Sequence, residues 1–373
     1  MVKASGSIIK NVKSVIVPHT GGKRGIVAAA GAGAVYGEAC RELEVLSDAR
    51  PEDITRLEDY MQTVDIKIEH LEEGHAFDLL VSVYHQHQQA SVRITDHHTN
   101  IVRMEKNWEI FYDELSDMES SQADRGALSM EKIWEFAQCA VIDDVKETLD
   151  SQIACNMRIA EEGLKGNYGA NIGKVLLKME HNSVRIQAKA MAAAGSDARM
   201  NGCELPVVIN SGSGNQGITC SVPVVVYAEA LQCNREQLYR ALIVSNLTAV
   251  YIKSGMGTLS AYCGAVSAGA AAGAGIACLY GGGYDEIKHT VVNALAIASG
   301  MICDGAKASC AAKIASSVDA GILGYHMYQN NQQFYAGEGI VAKGVDQTIS
   351  NVGKLGSEGM KVTNDKIIEM MIQ

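Results

Sequence analysis

The sequence predicts an α+β protein in which an N-terminal α/β domain (residues 1–128) is followed by an all-α domain (residues 129–373) with Gly/Ala-rich buried helices. Apolar residues recur with strand-like patterns in the first third, and from about residue 130 they recur at helical spacing. In addition, residues 254–284 form an uncharged run composed mostly of small residues. Such a run favours a helix against which other backbones pack closely.

The elements of the first domain follow from these patterns. "SVIVP" (14–18) and "VDIKIEH" (64–70) indicate strands, and "GIVAAAGAGAVYGEAC" (25–40) indicates a packed helix. "FDLLVSVYHQHQQASVRITDHHTNIVRME" (77–105) indicates a hairpin followed by another strand. Beyond residue 130, helical segments are separated by Gly-rich joints, because the chain has only four prolines and uses glycine for its turns.

The overall composition excludes several classes of protein. With 47% hydrophobic and 20% charged residues the chain is typical of a globular protein, and a net charge of −11 without a Lys/Arg cluster argues against a nucleic acid or an anionic membrane as partner. The first twenty residues have no signal-peptide pattern, so we expect a cytoplasmic protein. Run 254–284 is too rich in Ala and Gly for a membrane span, and ten scattered cysteines indicate mostly buried thiols.

Two of these thiols stand out in "SGMICDGAKASCAAK" (299–313). Cys303 and Cys310 are seven positions apart, which on a straight helix separates them by about 10.5 Å, too far for one zinc ion. Gly305 permits a break in the helix, so that Cys303 lies in a loop and Cys310 on the helix that follows, with both sulfurs facing one object. The alternative is that both are small hydrophobic side chains in a tight helix pair.

A second candidate site is the polar loop "NSGSGNQGIT" (210–219). Its glycines let consecutive backbone N–H groups face one cavity, and Ser211, Ser213, Asn215 and Gln216 add side-chain donors, which suits a carboxylate or a phosphate. The Lys-Ser/Thr ending of a Walker loop is absent. The alternative is a turn that only caps the following helix.

Two further stretches carry polar residues. "DHHTNIV" (96–102) places His98, Thr99 and Asn100 at the start of a strand, where adjacent side chains face opposite ways and a lone histidine is usually an ordinary surface residue. "AAGSDARMNG" (193–202) contains Asp197 and Arg199, for which we predict a surface ion pair of small energetic value.

Together these stretches resemble one family. "SDARM", "NSGSGNQGIT", "SGMICDGAKASC" and "AGEGIVAKGVDQTI" occur in this order in the L-cysteine desulfidase family, which is related to the α region of iron–sulfur L-serine dehydratases. "HTNIV" and "IIKNVKSVIVPHTGGKRGI" extend the resemblance over essentially the whole chain. The resemblance implies a 4Fe-4S cluster and β-elimination on a small L-amino acid, most closely L-cysteine, which yields sulfide, ammonia and pyruvate.

The resemblance also implies a set of site residues. Matching the family motifs, the cluster ligands would be Cys263 in "TLSAYCGAV", Cys303 and Cys310. Three ligands on four irons would leave one iron open to the substrate. The residues expected to orient the substrate are His98, Thr99, Asn100, Ser211, Ser213 and Asn215. The remaining thiols match no ligand position and are expected to be buried: Cys40, Cys139, Cys155, Cys203, Cys220, Cys233 and Cys278.

The sequence departs from the family in one respect. Members carry a Gly-Cys-Thr-Glu-Pro motif whose cysteine is the proposed proton-abstracting base, and this motif does not occur in the 373 residues. No residue is therefore assigned as the catalytic base, and the expected partners are a small amino acid and either a second copy of the chain or a separately encoded N-terminal segment. L-serine dehydratase, a non-catalytic cluster- or ligand-binding protein and a structural zinc site remain as alternatives.

Overall fold

The strands form one mixed sheet in the N-terminal part. The computed structural model describes residues 1–114, 125–179, 183–257 and 259–372. The strands of these residues are β1 (Val2–Ser5), β2 (Ile68–Leu71), β3 (Asp78–His85), β4 (Gln88–Thr95), β5 (Ile101–Lys106) and β6 (Glu109–Asp113). They are ordered β2-β1-β3-β4-β5-β6, with β1 parallel to β2 and every other neighbouring pair antiparallel.

The sheet contains the hairpin that the sequence predicts, but it differs from the prediction in two earlier segments. β3 and β4 pair with Val81 opposite Val92, as the alternating pattern predicts, and β5 follows. The strand predicted over residues 14–18 is wrong, because this segment makes a single bridge from Ile16 to Arg24 and then turns. The strand predicted over residues 64–70 forms only at its end, in β2.

Three helices accompany the sheet: α1 (Gly6–Val12), α2 (Gly25–Tyr36) and α3 (Pro51–Thr63). The remaining helices are α4 (Met130–Cys139), α5 (Ile142–Lys165), α6 (Ile172–Met179), α7 (Val184–Met200), α8 (Gly214–Ala230), α9 (Arg235–Ser254), α10 (Gly264–Leu279), α11 (Tyr284–Ala298), α12 (Cys310–Gln329), α13 (Val345–Lys354) and α14 (Lys361–Ile372). The predicted α+β class is therefore confirmed, and α14 returns to pack on α1.

Helix α10 occupies the centre of the helical region, where it contacts α8, α9, α11 and α12. It lies within the uncharged Ala/Gly run, and nearly all of its residues are buried. None of the helices in the described part of the chain is long and apolar enough to cross a membrane. The small side chains of α10 allow four neighbouring helices to approach it closely.

Helices α10 and α12 pack backbone against backbone. A Cβ atom built on Gly269 would lie 2.4 Å from the carbonyl carbon of Ser317, and one built on Gly273 would lie 2.6 Å from the carbonyl oxygen of Gly321. Both pairs have the same offset in sequence, so the two helices run parallel in a fixed register. The register brings the N-terminal ends of α10 and α12 to the same level.

We expect Gly269→Ala to lower the free energy of unfolding by about 1 to 3 kcal/mol, because its methyl group has no space beside the Ser317 backbone. The matched control is Gly33→Ala in α2, where a Cβ would meet no atom within 4 Å. That variant should be neutral or more stable by about 0.4 to 1 kcal/mol. Urea unfolding of both variants tests the packing, and equal stability of the two would contradict it.

Candidate functional site

Three cysteines meet where α10 and α12 begin. Cys263 is the N-cap of α10, Cys310 is the first residue of α12, and Cys303 lies in the loop before α12, as the sequence predicts for the last two. A short antiparallel bridge joins the segments of Cys263 and Cys303: the Cys263 N–H donates to Met301 O (3.0 Å) and the Cys303 N–H donates to Ala261 O (2.6 Å). The three thiols therefore come from separate segments to one place.

Gly305 shapes the loop that carries Cys303. Its φ of +96° is a conformation that favours glycine, and a Cβ there would lie 2.1 Å from the carbonyl oxygen of Lys10 in α1. The Cys310 thiol in turn lies 3.6 Å from Gly305 O. A glycine is thus required both for the break between Cys303 and Cys310 and for the close approach of α1.

The thiols differ in their electrostatics. A hydrogen bond from the Cys263 thiol lowers the pKa of Cys303 to about 5, although burial opposes this shift, and the charge of Lys10 adds to it. The same hydrogen bond, together with burial, raises the pKa of Cys263 well above its ordinary value. Burial also raises the pKa of Cys310. Cys303 is therefore the thiol that most readily provides a thiolate, the form that binds metals.

Lysine side chains surround this group. Lys10 is only 1% exposed, and its Nζ donates to Asn364 Oδ1 (2.7 Å) and to Leu259 O (3.3 Å). Burial lowers the pKa values of Lys10 and Lys253, and the charge of Cys303 opposes both shifts. The positive field of these ammonium groups favours a negatively charged occupant.

Lys313 and its partner Asp304 stiffen the same loop. Lys313 Nζ donates to Ile302 O (2.8 Å) and to Asp304 Oδ1 (2.5 Å), and Lys307 also pairs with Asp304. Although burial opposes it, these hydrogen bonds hold the pKa of Asp304 at about 2. The loop that carries Cys303 is thus held by a permanently ionised carboxylate.

The donor set fits a thiolate-bound iron–sulfur cluster. Cysteine thiolates are the usual ligands of such clusters, and here three thiols interact electrostatically with one another beside buried ammonium groups. Within the described ranges, no group of three or more His, Cys, Asp or Glu side chains is arranged to hold a metal ion. Among the described residues the thiols therefore lie close together without forming a preassembled metal site.

The polar loop is a tight turn followed by a helix cap. The N–H groups of Asn210 and Ser213 each donate to the other's carbonyl, and the two residues between them, Ser211 (φ 50°) and Gly212 (φ 77°), are both left-handed. The Ser213 hydroxyl then accepts from the N–H of Gln216 (3.4 Å) at the start of α8. The backbone therefore agrees with the alternative in which this segment is a turn that caps the following helix.

This loop adjoins the cysteines through Gln216. A Cβ built on Gly264 would lie 2.7 Å from the Gln216 amide carbon, and Ser267 Oγ donates to Gln216 Oε1 (3.4 Å). Because Gly264 follows Cys263 directly, the start of α8 lies against the start of α10. Polar loop and thiols therefore belong to one site.

His98 faces the polar loop from the sheet. Its ring packs on Phe77 with centroids 4.9 Å apart, and a Cβ on Gly212 would lie 4.0 Å from His98 Cε1. The residue as a whole is exposed, but its ring is partly enclosed, and this burial, followed by the charges of His97 and Arg199, lowers the pKa of His98. The neutral imidazole is therefore favoured near neutral pH.

The neighbours of His98 have different surroundings. Asn100 Nδ2 donates to Thr95 O (3.1 Å) and so closes the turn between β4 and β5. Thr99 is exposed, and its carbonyl accepts from the N–H of Ile101. Of these three predicted residues, the geometry brings His98 to the polar loop, and Asn100 supports the turn that carries it.

The predicted surface ion pair between Asp197 and Arg199 is wrong. Asp197 is 1% exposed and its Oδ2 accepts from the N–H of Gly173 (3.1 Å) at the start of α6, whereas Oδ1 has no hydrogen-bond partner among the described residues. Arg199 points elsewhere: a Cβ on Gly214 would lie 2.3 Å from its Nε, and its Nη1 donates to Asn215 Oδ1 (3.4 Å). Residues two apart on a helix do not face each other, so the spacing in the sequence already argued against an ion pair between Asp197 and Arg199.

The remaining thiols agree only in part with the expected burial. Cys203 and Cys220 are buried, and the half-buried ones are Cys155, Cys233 and Cys278. Cys40 and Cys139 are exposed, so the expectation is wrong for these two. Cys139 ends α4 at the surface and Cys40 lies in a surface turn after α2.

Comparison with known proteins identifies the chain's relatives. The family model described as serine dehydratase alpha chain matches residues 41–369. A UPF0597 protein of Desulfitobacterium hafniense (strain Y51) is 54% identical over 374 residues, which cover 100% of this chain and 87% of the relative. UPF0597 proteins of Finegoldia magna and Lachnoclostridium phytofermentans are each 46% identical, over 100% of this chain and 89% of theirs.

The buried Asp197 predicts a specific pH dependence of stability. Burial raises its pKa from 3.8 to about 6, so the folded protein binds this proton more tightly than the unfolded chain does. The stability that the folded protein gains from binding this proton is fully present below about pH 4 and is lost as the pH rises through about 6. Relative to Asp197→Asn, the wild type should therefore lose about 1 to 3 kcal/mol of stability over this window.

Urea unfolding of the wild type and of Asp197→Asn across this pH range provides the measurement. The difference between the two proteins cancels groups that titrate elsewhere in the chain. A difference that stays constant from about pH 4 to 7 would contradict the raised pKa.

Proposed function

The chain belongs to the family of serine dehydratase alpha chains, and from this premise we propose that it catalyses β-elimination on a small L-amino acid with a 4Fe-4S cluster as cofactor. The proposed substrate is L-cysteine, and the products are sulfide, ammonia and pyruvate. The observation that carries the proposal is the meeting of three thiols at the parallel starts of α10 and α12, directly beside the polar loop.

The proposed cluster ligands are Cys263, Cys303 and Cys310. When bound, a cluster with an open iron supplies a Lewis acid that makes the β-substituent a better leaving group. Residues of this chain favour such a group: the lowered pKa of Cys303 supplies a thiolate, and the ammonium groups of buried Lys10 and half-buried Lys253 balance negative charge.

The polar loop and His98 would orient the substrate. Neutral His98 can accept a hydrogen bond from the substrate's ammonium group. The hydroxyl of Ser213 accepts from a backbone N–H and, among the described residues, has no acceptor for its own proton, so it can donate to the substrate. Asn215 lies two residues further along the loop, and the Ser211 hydroxyl donates to Asn210 Oδ1 (2.8 Å). Fixed donors at a bound substrate lower the barrier because they need no rearrangement during the reaction.

L-Serine is the second candidate substrate, because the matched family is described as serine dehydratase alpha chain. The two amino acids differ only in the β-substituent, and the protein groups around the site do not distinguish them by charge. A thiolate leaves more readily than hydroxide, so a site that removes hydroxide also has the chemistry to remove sulfide. A chain that binds the cluster but converts neither amino acid would be a cluster-binding protein.

The test is anaerobic reconstitution of the full chain, followed by iron and acid-labile sulfide analysis and by an assay for pyruvate. We expect about four irons and four sulfides per chain. Pyruvate should form with L-cysteine, at a higher kcat/KM than with L-serine, and sulfide should appear in equal amount. No iron in the wild type, or a loaded protein that forms no pyruvate from either amino acid, would overturn the proposal.

Matched cysteine variants locate the cluster. Cys303→Ser should lose most of the iron and the activity, because a hydroxyl does not replace the thiolate ligand. Cys155→Ser, a half-buried thiol of α5 outside the site, should keep both. Iron content in Cys303→Ser equal to that in Cys155→Ser would remove Cys303 from the ligand set.

A further inference from the structure

Arg199 is an arginine inside the site without an acidic partner. It lies at the end of α7, half-buried, with its guanidinium packed over Gly214 at the start of α8. Among the described residues its hydrogen bond to Asn215 Oδ1, at 3.4 Å, is long, and no carboxylate lies within ion-pair distance. A guanidinium has five N–H donors, so most of its hydrogen-bonding capacity remains available.

Two acidic residues of this region, Asp197 on the same helix and Asp304 in the Cys303 loop, have partners other than Arg199. Asp197 accepts backbone N–H groups at the start of α6. Asp304 pairs with Lys307 and Lys313. By contrast, Arg185 on the same helix binds both oxygens of Asp319, at 2.8 and 2.9 Å. Of these two arginines of α7, Arg185 thus has a carboxylate partner, whereas Arg199 can bind an anionic ligand.

The position of Arg199 identifies what it faces. Arg199 and His98 adjoin the same polar loop, at Gly214 and Gly212, and the charge of Arg199 acts on both His98 and Cys310. A guanidinium that is partly withdrawn from water and lacks an acidic partner is unfavourable, and an anion that binds it offsets this cost. The planar guanidinium matches a carboxylate through two parallel hydrogen bonds.

We infer that Arg199 binds the α-carboxylate of the amino-acid substrate, and so selects α-amino acids over amines with the same side chain. The inference rests on the proposed function for the identity of the substrate. Arg199 then acts as a specificity-determining residue: it fixes the carboxylate end, while His98 is positioned for the ammonium group and the thiols for the β-substituent. Gly214 is required for this position of Arg199, because any side chain at residue 214 would displace the guanidinium.

L-Alanine tests the inference without turnover, because it keeps the carboxylate and the ammonium group but has no leaving group. Its binding to the anaerobically reconstituted chain is measured by isothermal titration calorimetry. We expect Arg199→Gln to weaken binding at least about 30-fold, since a charged hydrogen-bonded pair is lost, and Arg199→Lys to restore part of it. Arg158→Gln, an exposed arginine of α5, is the charge-matched control and should bind as the wild type does.

Two binding comparisons and a stability measurement make the test specific. Ethylamine, which is alanine without its carboxylate, should bind equally weakly to the wild type and to Arg199→Gln. Gly214→Ala, which keeps the arginine but displaces it, should also weaken L-alanine binding. Thermal unfolding of each variant verifies that the fold is retained.

Several results would overturn the inference: undetectable L-alanine binding by the wild type, unchanged binding by a folded Arg199→Gln, or displacement of L-alanine by inorganic phosphate at equal concentration, which would indicate a general anion site. The proposed function fails separately. If the wild type binds L-alanine through Arg199 but forms no pyruvate, the carboxylate site stands without the reaction. If pyruvate forms and Arg199→Gln leaves KM unchanged, the reaction stands without this role for Arg199.

Discussion

The close packing of α10 on α12 is the constraint on which the site depends. With glycine at positions 269, 273 and 321, the two backbones touch and no side chain is left to adjust the distance or the register. Because the helices are parallel, this register alone decides that Cys263 and Cys310 lie at the same level. A shift by one residue would turn a helix by about 100° and carry one thiol away from the other. The Gly/Ala content of the helical region is therefore a geometric requirement of the site.

A second feature of the site is the positive charge of the lysine and arginine side chains that lie around the thiols. Some arginines of the protein pair with acids, as in the bidentate contacts of Arg93 with Asp78 and of Arg185 with Asp319. Around the thiols, Lys10 and Arg199 instead bind neutral oxygens of Asn364, Leu259 and Asn215. Such an arrangement is unfavourable by itself, because cations that are withdrawn from water without acidic partners lose hydration. The proposed thiolates and substrate carboxylate would offset this cost, which is the feature expected of a preorganised site.

The sequence predicted the parts of this site that are local in the chain. Gly305 predicts the break between Cys303 and the helix that begins at Cys310, and the alternating pattern of residues 77–105 predicts the hairpin near His98. It could not predict Arg199 correctly, because its surroundings come from Gly214 and Cys310, and only tertiary packing brings these together. The strand expected over residues 14–18 failed for a related reason: apolar residues there pack against neighbours as a bent segment with a single bridge. Gly202 is one such neighbour, since a Cβ there would meet Ile16.

The ends of the chain complete the site from outside the helical core. Lys10 in α1 touches the Cys303 loop through its backbone at Gly305, and its ammonium group joins Leu259 to Asn364 in α14. Helix α1 therefore packs directly on the loop that bears Cys303, and the hydrogen bond from Lys10 to Asn364 links α1 to α14. This explains why "IIKNVKSVIVPHTGGKRGI", far from the cysteines in sequence, belongs with the motifs of the site: its Lys10 packs against the loop that carries Cys303. Ligand binding at the thiols is consequently linked to folding of the whole chain, since a ligand that binds only the folded state stabilises every contact on which the site depends.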